Sequence, residues 1–124
     1  MSDLQNPMGA YPAQLARDIA DSLEEKKGEN ILLLDLTGIC SFTDFFVVCS
    51  ANNERTLRAL AEDIRTRMKA AHSILPHHTE GDAASGWVLL DYGDVILHLF
   101  LATTRNYYRL EDLWRNGKVL LHMP

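Results

Sequence analysis

From Pro12 onward the apolar residues Leu15, Ala16, Ile19, Ala20 and Leu23 recur at helical spacing, the stripe of an amphipathic helix. Pro12 suits the first turn, where its missing N–H is no loss, and Gly28, after two lysines, marks the stop. Ile31 to Leu36 is an apolar strand, turned by Thr37-Gly38. After Ile39 to Thr43, the run Asp44-Phe45-Phe46-Val47-Val48-Cys49-Ser50 predicts a second strand from its β-branched and aromatic content. Asn52 or Asn53 caps a long helix, with Glu54 in its first turn to complement the dipole. Leu57, Leu60, Ala61, Ile64, Met68 and Ala71 form its buried stripe. Ile74 to Thr79 predicts a short edge strand, and Glu80 to Gly86 an acidic loop of small residues.

The sharpest pattern runs from Trp87 to Phe100. It reads as two alternating strands joined at Tyr92-Gly93, a β-hairpin whose glycine supplies the positive φ of a two-residue turn. In that register Asp91 faces Asp94, Leu89 faces Ile96 and Trp87 faces His98, all on one side of the sheet with Phe100. The other side carries Val88, Leu90, Val95, Leu97, Leu99 and Leu101, wholly aliphatic and suited to a cover of helices. Thr103 or Thr104 caps a last helix through Trp114, stopped by Asn116-Gly117, and Lys118 to Pro124 is either a final strand or a loose tail.

This order predicts an α/β domain with a mixed sheet of about five strands and helices mainly on one face, leaving part of the opposite face open. The expected boundaries are a flexible polar tail over 1–11, a folded domain over 12–116 and a closing tail or strand over 117–124.

Composition narrows the partners. At 124 residues the chain makes one domain with a real core. No apolar run approaches the ~18–20 residues that span a bilayer, and no basic segment leads into an apolar one at the N-terminus, so neither membrane nor secretion is expected. Cys40 and Cys49 form no CxxC or framework, which predicts buried thiols in a reducing cytoplasm. A net charge of −5 disfavours bare nucleic acid as the main partner and favours basic protein surfaces.

Candidate chemistry is sparse. His77, His78, Glu80 and Asp82 invite a metal, but adjacent histidines on a strand point to opposite faces and no second cluster completes a site. Neither metal nor cofactor is expected. Arg55, Arg58, Arg65 and Lys69 line one side of the long helix, interrupted by Glu62, which pairs with Arg58. That stripe reads as a solvated face with at most a minor RNA contact, since it lacks interleaved aromatics. Leu110 and Trp114 read as core, so one of Tyr107 and Tyr108 must point away from it. The Trp87 face would itself be plain core if the first helix or the C-terminal tail covered it. Like charges directly opposite one another are destabilising, so the Asp91–Asp94 pair favours a solvated edge that meets a basic partner.

The ordered pieces Leu34-Asp35-Leu36, Ser41-Phe42-Thr43-Asp44-Phe45-Phe46-Val47, Glu80-Gly81, Trp87-Val88-Leu89-Leu90-Asp91-Tyr92-Gly93-Asp94-Val95 with His98 and Phe100, and the run from Arg105 to Trp114 resemble the ribosomal silencing factors, the Iojap-like proteins. The resemblance spans about residues 12 to 115. It implies a fold related to nucleotidyltransferases and a factor that docks on ribosomal protein L-fourteen of the large subunit, blocking subunit joining when nutrients are short. The nucleotidyltransferase motif itself is missing: Phe46 stands two residues after Asp44, where a second metal-binding acid belongs, and Gly38 and Ser41 are separated by Ile39-Cys40. A non-enzymatic, cytoplasmic binding protein follows as the expectation, with a homodimer when free. A nucleotidyltransferase-like enzyme and an assembly factor on rRNA are the alternatives. The partner-binding residues expected are Asp44, Trp87, Leu89, Asp91, Asp94, Ile96, His98, Phe100, Arg105 and Tyr107.

Overall fold

The computed structural model describes residues 11–104 and 116–124. Its elements are α1 (Tyr11–Glu25), β1 (Glu29–Asp35), β2 (Phe45–Ala51), α2 (Glu54–His72), β3 (His78–Asp82), a 3-10 turn (Ala83–Ser85), β4 (Trp87–Asp91), β5 (Val95–Leu101) and β6 (Lys118–Met123). The sheet has six strands in the order β3-β4-β5-β2-β1-β6. β2 and β5 pair in parallel and every other neighbour is antiparallel. This is the expected mixed α/β sheet, with one strand more than the pattern announced: the closing segment, left open between strand and tail, is β6 on β1.

Both helices lie on one face. Leu15, Ile19 and Leu23 of α1 and Leu57, Leu60, Ile64 and Met68 of α2 pack with Leu33, Val47, Leu90, Leu97 and Leu99 in one buried cluster. A second cluster on the opposite face holds Leu32, Leu34, Leu36, Phe46, Val48, Ile96 and Phe100, edged by Cys40, Trp87 and Leu89. β2 runs through the middle, buried along its whole length, so burial on both faces explains its unbroken apolar run.

Asn53, not Asn52, caps α2, its Oδ1 accepting from the Thr56 N–H at 2.8 Å. Ala71 belongs to the exposed side of that helix and drops out of the expected buried stripe. Lys27 takes the left-handed turn after α1 at φ 70. Gly28 serves another need: a Cβ there would stand 2.4 Å from the Sγ of the buried Cys49 and 3.0 Å from the Leu23 carbonyl oxygen, so any side chain would force the packing to shift. The expected edge strand over 74–79 and acidic loop over 80–86 are redrawn as β3 and the 3-10 turn. An edge strand contributes backbone rather than core, and all five residues of β3 are exposed, so alternation had no burial to report. Helical geometry begins again at 102–104. The rest of the expected third helix, with Arg105, Tyr107, Tyr108, Leu110 and Trp114, and the N-terminal tail through Ala10 lie outside the described residues.

Candidate functional site

The β4–β5 hairpin turns one residue later than its pattern announced. Trp87 pairs with Phe100, Leu89 with His98 and Asp91 with Ile96. Tyr92 is buried on the helix side and its N–H bonds the Val95 carbonyl at 2.9 Å. Burial of that ring keeps it in the ladder and leaves Gly93-Asp94 as the turn, with Gly93 at φ 91. The pairing therefore differs by two residues, and every side chain keeps its face because the strand period is two. The like-charged Asp91–Asp94 pair does not form. Asp91 instead closes the turn, its Oδ1 accepting from the Gly93 N–H at 2.7 Å.

On the face away from the helices a strip of rings crosses three strands. Phe100 and Trp87 stack with centroids 6.3 Å apart, and His98 lies nearly parallel to Phe100 at 6.0 Å. Phe46 meets His98 edge-on at 4.7 Å. Phe42, in the β1–β2 loop, continues the line 6.4 Å from Phe46. These offset and edge-on geometries are the ones ring quadrupoles favour.

His98 belongs to this strip as a ring rather than as a charge. The Trp87 indole N–H donates to its Nδ1 at 3.4 Å, and an indole nitrogen only donates, so the proton of the neutral imidazole sits on Nε2. Nε2 is buried and has no hydrogen-bond partner among the described residues. Burial pushes the pKa from the ordinary 6.5 down to about 4, because the charged form loses its water.

The strip differs in depth from the open face expected. Ile96 and Phe100 are 6% and 2% exposed, so they are core here rather than projecting groups. Rings stacked on one another remove each other from water. Trp87, Leu89, Asp91 and His98 are half-buried. Among the exposed large apolar groups, which also include Leu75, Val119 and Leu120, Phe42 at 67% and Ile39 at 55% adjoin the strip, and the sequence pattern did not single them out. Their signal was apolar residues inside a short turn segment, where neither sheet face can absorb them. With Leu36, Cys40, Phe46 and Asn116 they line a cleft of about 310 Å³. Cys40 is accordingly half-buried at that cleft, while Cys49 is buried as expected.

Carboxylates gather at the same end of the sheet. Asp44 precedes β2, Asp91 ends β4 and Asp94 sits in the turn. The Asp94 carbonyl accepts from the N–H groups of Asp44 and Phe45 at 3.1 and 3.0 Å, tying the hairpin to β2. Asp35, at the end of β1, accepts from the Thr37 N–H at 2.9 Å, and hydrogen bonding from the Thr37 side chain, then from this N–H, holds its carboxyl below the usual range.

Other features carry less. Among the described residues no three His, Cys, Asp or Glu side chains converge as a metal would need. His78 bonds Glu80 at 2.7 Å along the exposed edge, while His77 lies against Gly93. The hollow between α1 and α2 is larger, about 510 Å³. Most of its charges are paired: Asp18 meets His72 at 2.8 Å and Glu25 meets Arg67, while Asp21 faces the opening. No helix among the described residues is long and apolar enough to cross a membrane.

Fold and strip together define an α/β sheet domain whose distinctive chemistry is stacked ring surface bordered by carboxylates. The chain belongs to the family described as Ribosomal silencing factor during starvation, whose family model matches residues 10–122. A Zymomonas mobilis relative named Ribosomal silencing factor RsfS is 35% identical over 116 residues, covering 94% of this chain and 86% of that protein. A Bacillus subtilis relative of the same name is 37% identical over 95 residues, covering 77% of this chain and 80% of its own. A crystal structure of a Chromobacterium violaceum protein superposes with a TM-score of 0.74 at 32% identity, covering 88% of each chain.

Proposed function

We propose that this chain silences translation by docking on ribosomal protein L-fourteen of the large subunit and excluding the small subunit by bulk. The observation that carries this reading is the aromatic strip, which ends in the exposed Phe42 and Ile39 beside Asp44 and Asp94. Aromatic anchors dominate protein interfaces, and a carboxylate border suits a basic ribosomal protein. Of the residues expected to bind, Trp87, Leu89, His98 and the three acids remain surface groups of this site. Ile96 and Phe100 support it from beneath. Arg105 and Tyr107 complete the expected set from outside the described residues.

Nothing in this mechanism needs a reaction, a cofactor or a membrane. Steric exclusion requires affinity and volume alone, and the sheet domain, closed by β6, supplies both in the cytoplasm. In the free state the same surface pairs with a second copy, which must dissociate before docking; sedimentation of wild type and Phe42→Ala measures whether the two states share it. Docking itself is tested by co-sedimentation with purified large and small subunits. The chain is expected to pellet with large subunits and to be displaced by added L-fourteen. Equal recovery with both subunits, or indifference to the competitor, would overturn the reading.

A further inference from the structure

The helix layer divides its charge. α1 carries four acids against one arginine, whereas the adjacent α2 carries five Arg and Lys against three acids. In a chain of net charge −5, that concentration needs a reason. Arg67 is matched by Glu25 and Asp63, and Arg58 bonds Glu54 one turn back at 3.3 Å, in water, instead of the expected Glu62. Arg55, Arg65 and Lys69 have no carboxylate within ion-pair distance among the described residues.

Position makes the pattern directional. At 3.6 residues per turn, Arg55, Arg58, Glu62, Arg65 and Lys69 fall within an arc of about 80° and run for about 21 Å. This flank points away from α1 and toward β3. Arg58 and Arg65 line a cleft of about 220 Å³ with Gly81, Ala83 and Val88 across the seam. Glu62 and Asp82 also border it, and the Asp82 Oδ1 accepts from the Ser85 N–H at 2.9 Å. Val88 lies on β4 between Trp87 and Leu89 of the opposite face. The stripe and the aromatic strip therefore flank one sheet edge, closed by the wholly exposed β3.

We propose that the α2 stripe binds RNA backbone phosphates bordering the docking surface. A line of four cations on a rod, broken once by Glu62, suits a line of phosphates, and guanidinium matches phosphate in a two-bond fork. The stripe reads no bases, so it adds affinity and on-rate without sequence preference. As a second contact of the docked state it rests on the reading above, although RNA binding itself does not.

The test compares Arg55→Gln/Arg65→Gln/Lys69→Gln with Arg17→Gln/Lys26→Gln/Lys27→Gln, which removes the same charge elsewhere. Circular dichroism confirms that both fold. Binding is measured across a salt series to isolated L-fourteen, to purified large subunits and to protein-free large-subunit RNA. The stripe variant is expected to keep L-fourteen affinity within about two-fold and to lose about ten-fold or more on subunits and RNA at low salt. Its salt slope should fall by about 2 to 3, since each lost phosphate contact removes about 0.7–0.9. The control variant should change neither. An unchanged slope, or an equal loss in the control, overturns the inference. A loss on subunits with no loss on RNA assigns the stripe to an acidic protein and overturns it as well. Failure of the wild type to bind L-fourteen counts against the docking reading alone, because the RNA arm still judges the stripe.

Discussion

The two faces of one sheet are built by alternate residues of the same strands, yet they do different work. Toward the helices β4 and β5 present Val88, Leu90, Val95, Leu97 and Leu99, every one at most 4% exposed. Away from them the same strands present Trp87, Leu89, His98 and Phe100, with rings instead of aliphatic chains and partial exposure at the rim. Aliphatic packing is interchangeable volume whose only output is stability. Stacked rings that reach the surface serve stability beneath and, on the proposed reading, recognition above. The contrast predicts that substitutions separate by face.

The largest effect belongs to the helix face. Leu90→Ala removes a fully buried side chain and should cost about 2–5 kcal/mol in urea unfolding. Partner affinity per folded molecule should stay the same. A loss below about 1 kcal/mol would mean that the core tolerates the cavity and the division of labour is weaker than drawn.

Next comes the acid response of the ring face. His98 has a folded-state pKa of about 4 against the ordinary 6.5, so on acidification the unfolded chain takes the proton first. Its contribution is intact above pH 6.5 and is lost as pH falls toward 4, by up to about 3 kcal/mol. The difference in stability between wild type and His98→Phe should shift across that window and be flat above it. A flat difference throughout would place His98 in water.

Binding substitutions are smaller and should spare the fold. Trp87→Ala should weaken docking by about 2 kcal/mol. Phe42→Ala is the cleaner variant: its ring is 67% exposed, so stability should move by no more than about 0.5 kcal/mol while docking weakens at least several-fold. Smallest of all is the acidic border. Asp44→Asn with Asp94→Asn should slow association a few-fold at low salt and leave dissociation unchanged, as stopped-flow mixing would report. Faster dissociation with unchanged association would make these acids buried contacts rather than steering charges.

Much of this was legible in the chain because strand parity is robust. The hairpin turn was misplaced by one residue and the pairing by two, yet each side chain of β4 and β5 fell on its observed face. What parity does not carry is depth. Ile96 and Phe100 share a face with Trp87, and only the packing of that face, with Trp87 stacked on Phe100, reveals that they are covered. β3 was expected as an edge strand but placed about four residues early, for the converse reason: its exposed, polar residues leave no apolar period, and backbone pairing with β4 alone sets its bounds. Ile39 and Phe42 were missed because a turn segment has no face to be assigned to. Lys27 took the left-handed position expected of Gly28 because Gly28 was already committed to the close approach of Cys49.

The central claim is exclusion by an occupied face, and light scattering of mixed subunits tests it most directly. Rising amounts of the wild-type chain should suppress joining in proportion to the fraction of large subunits it occupies, and Phe42→Ala should require correspondingly more. Large subunits saturated with wild-type chain that still join small subunits at the normal rate and extent would contradict the account.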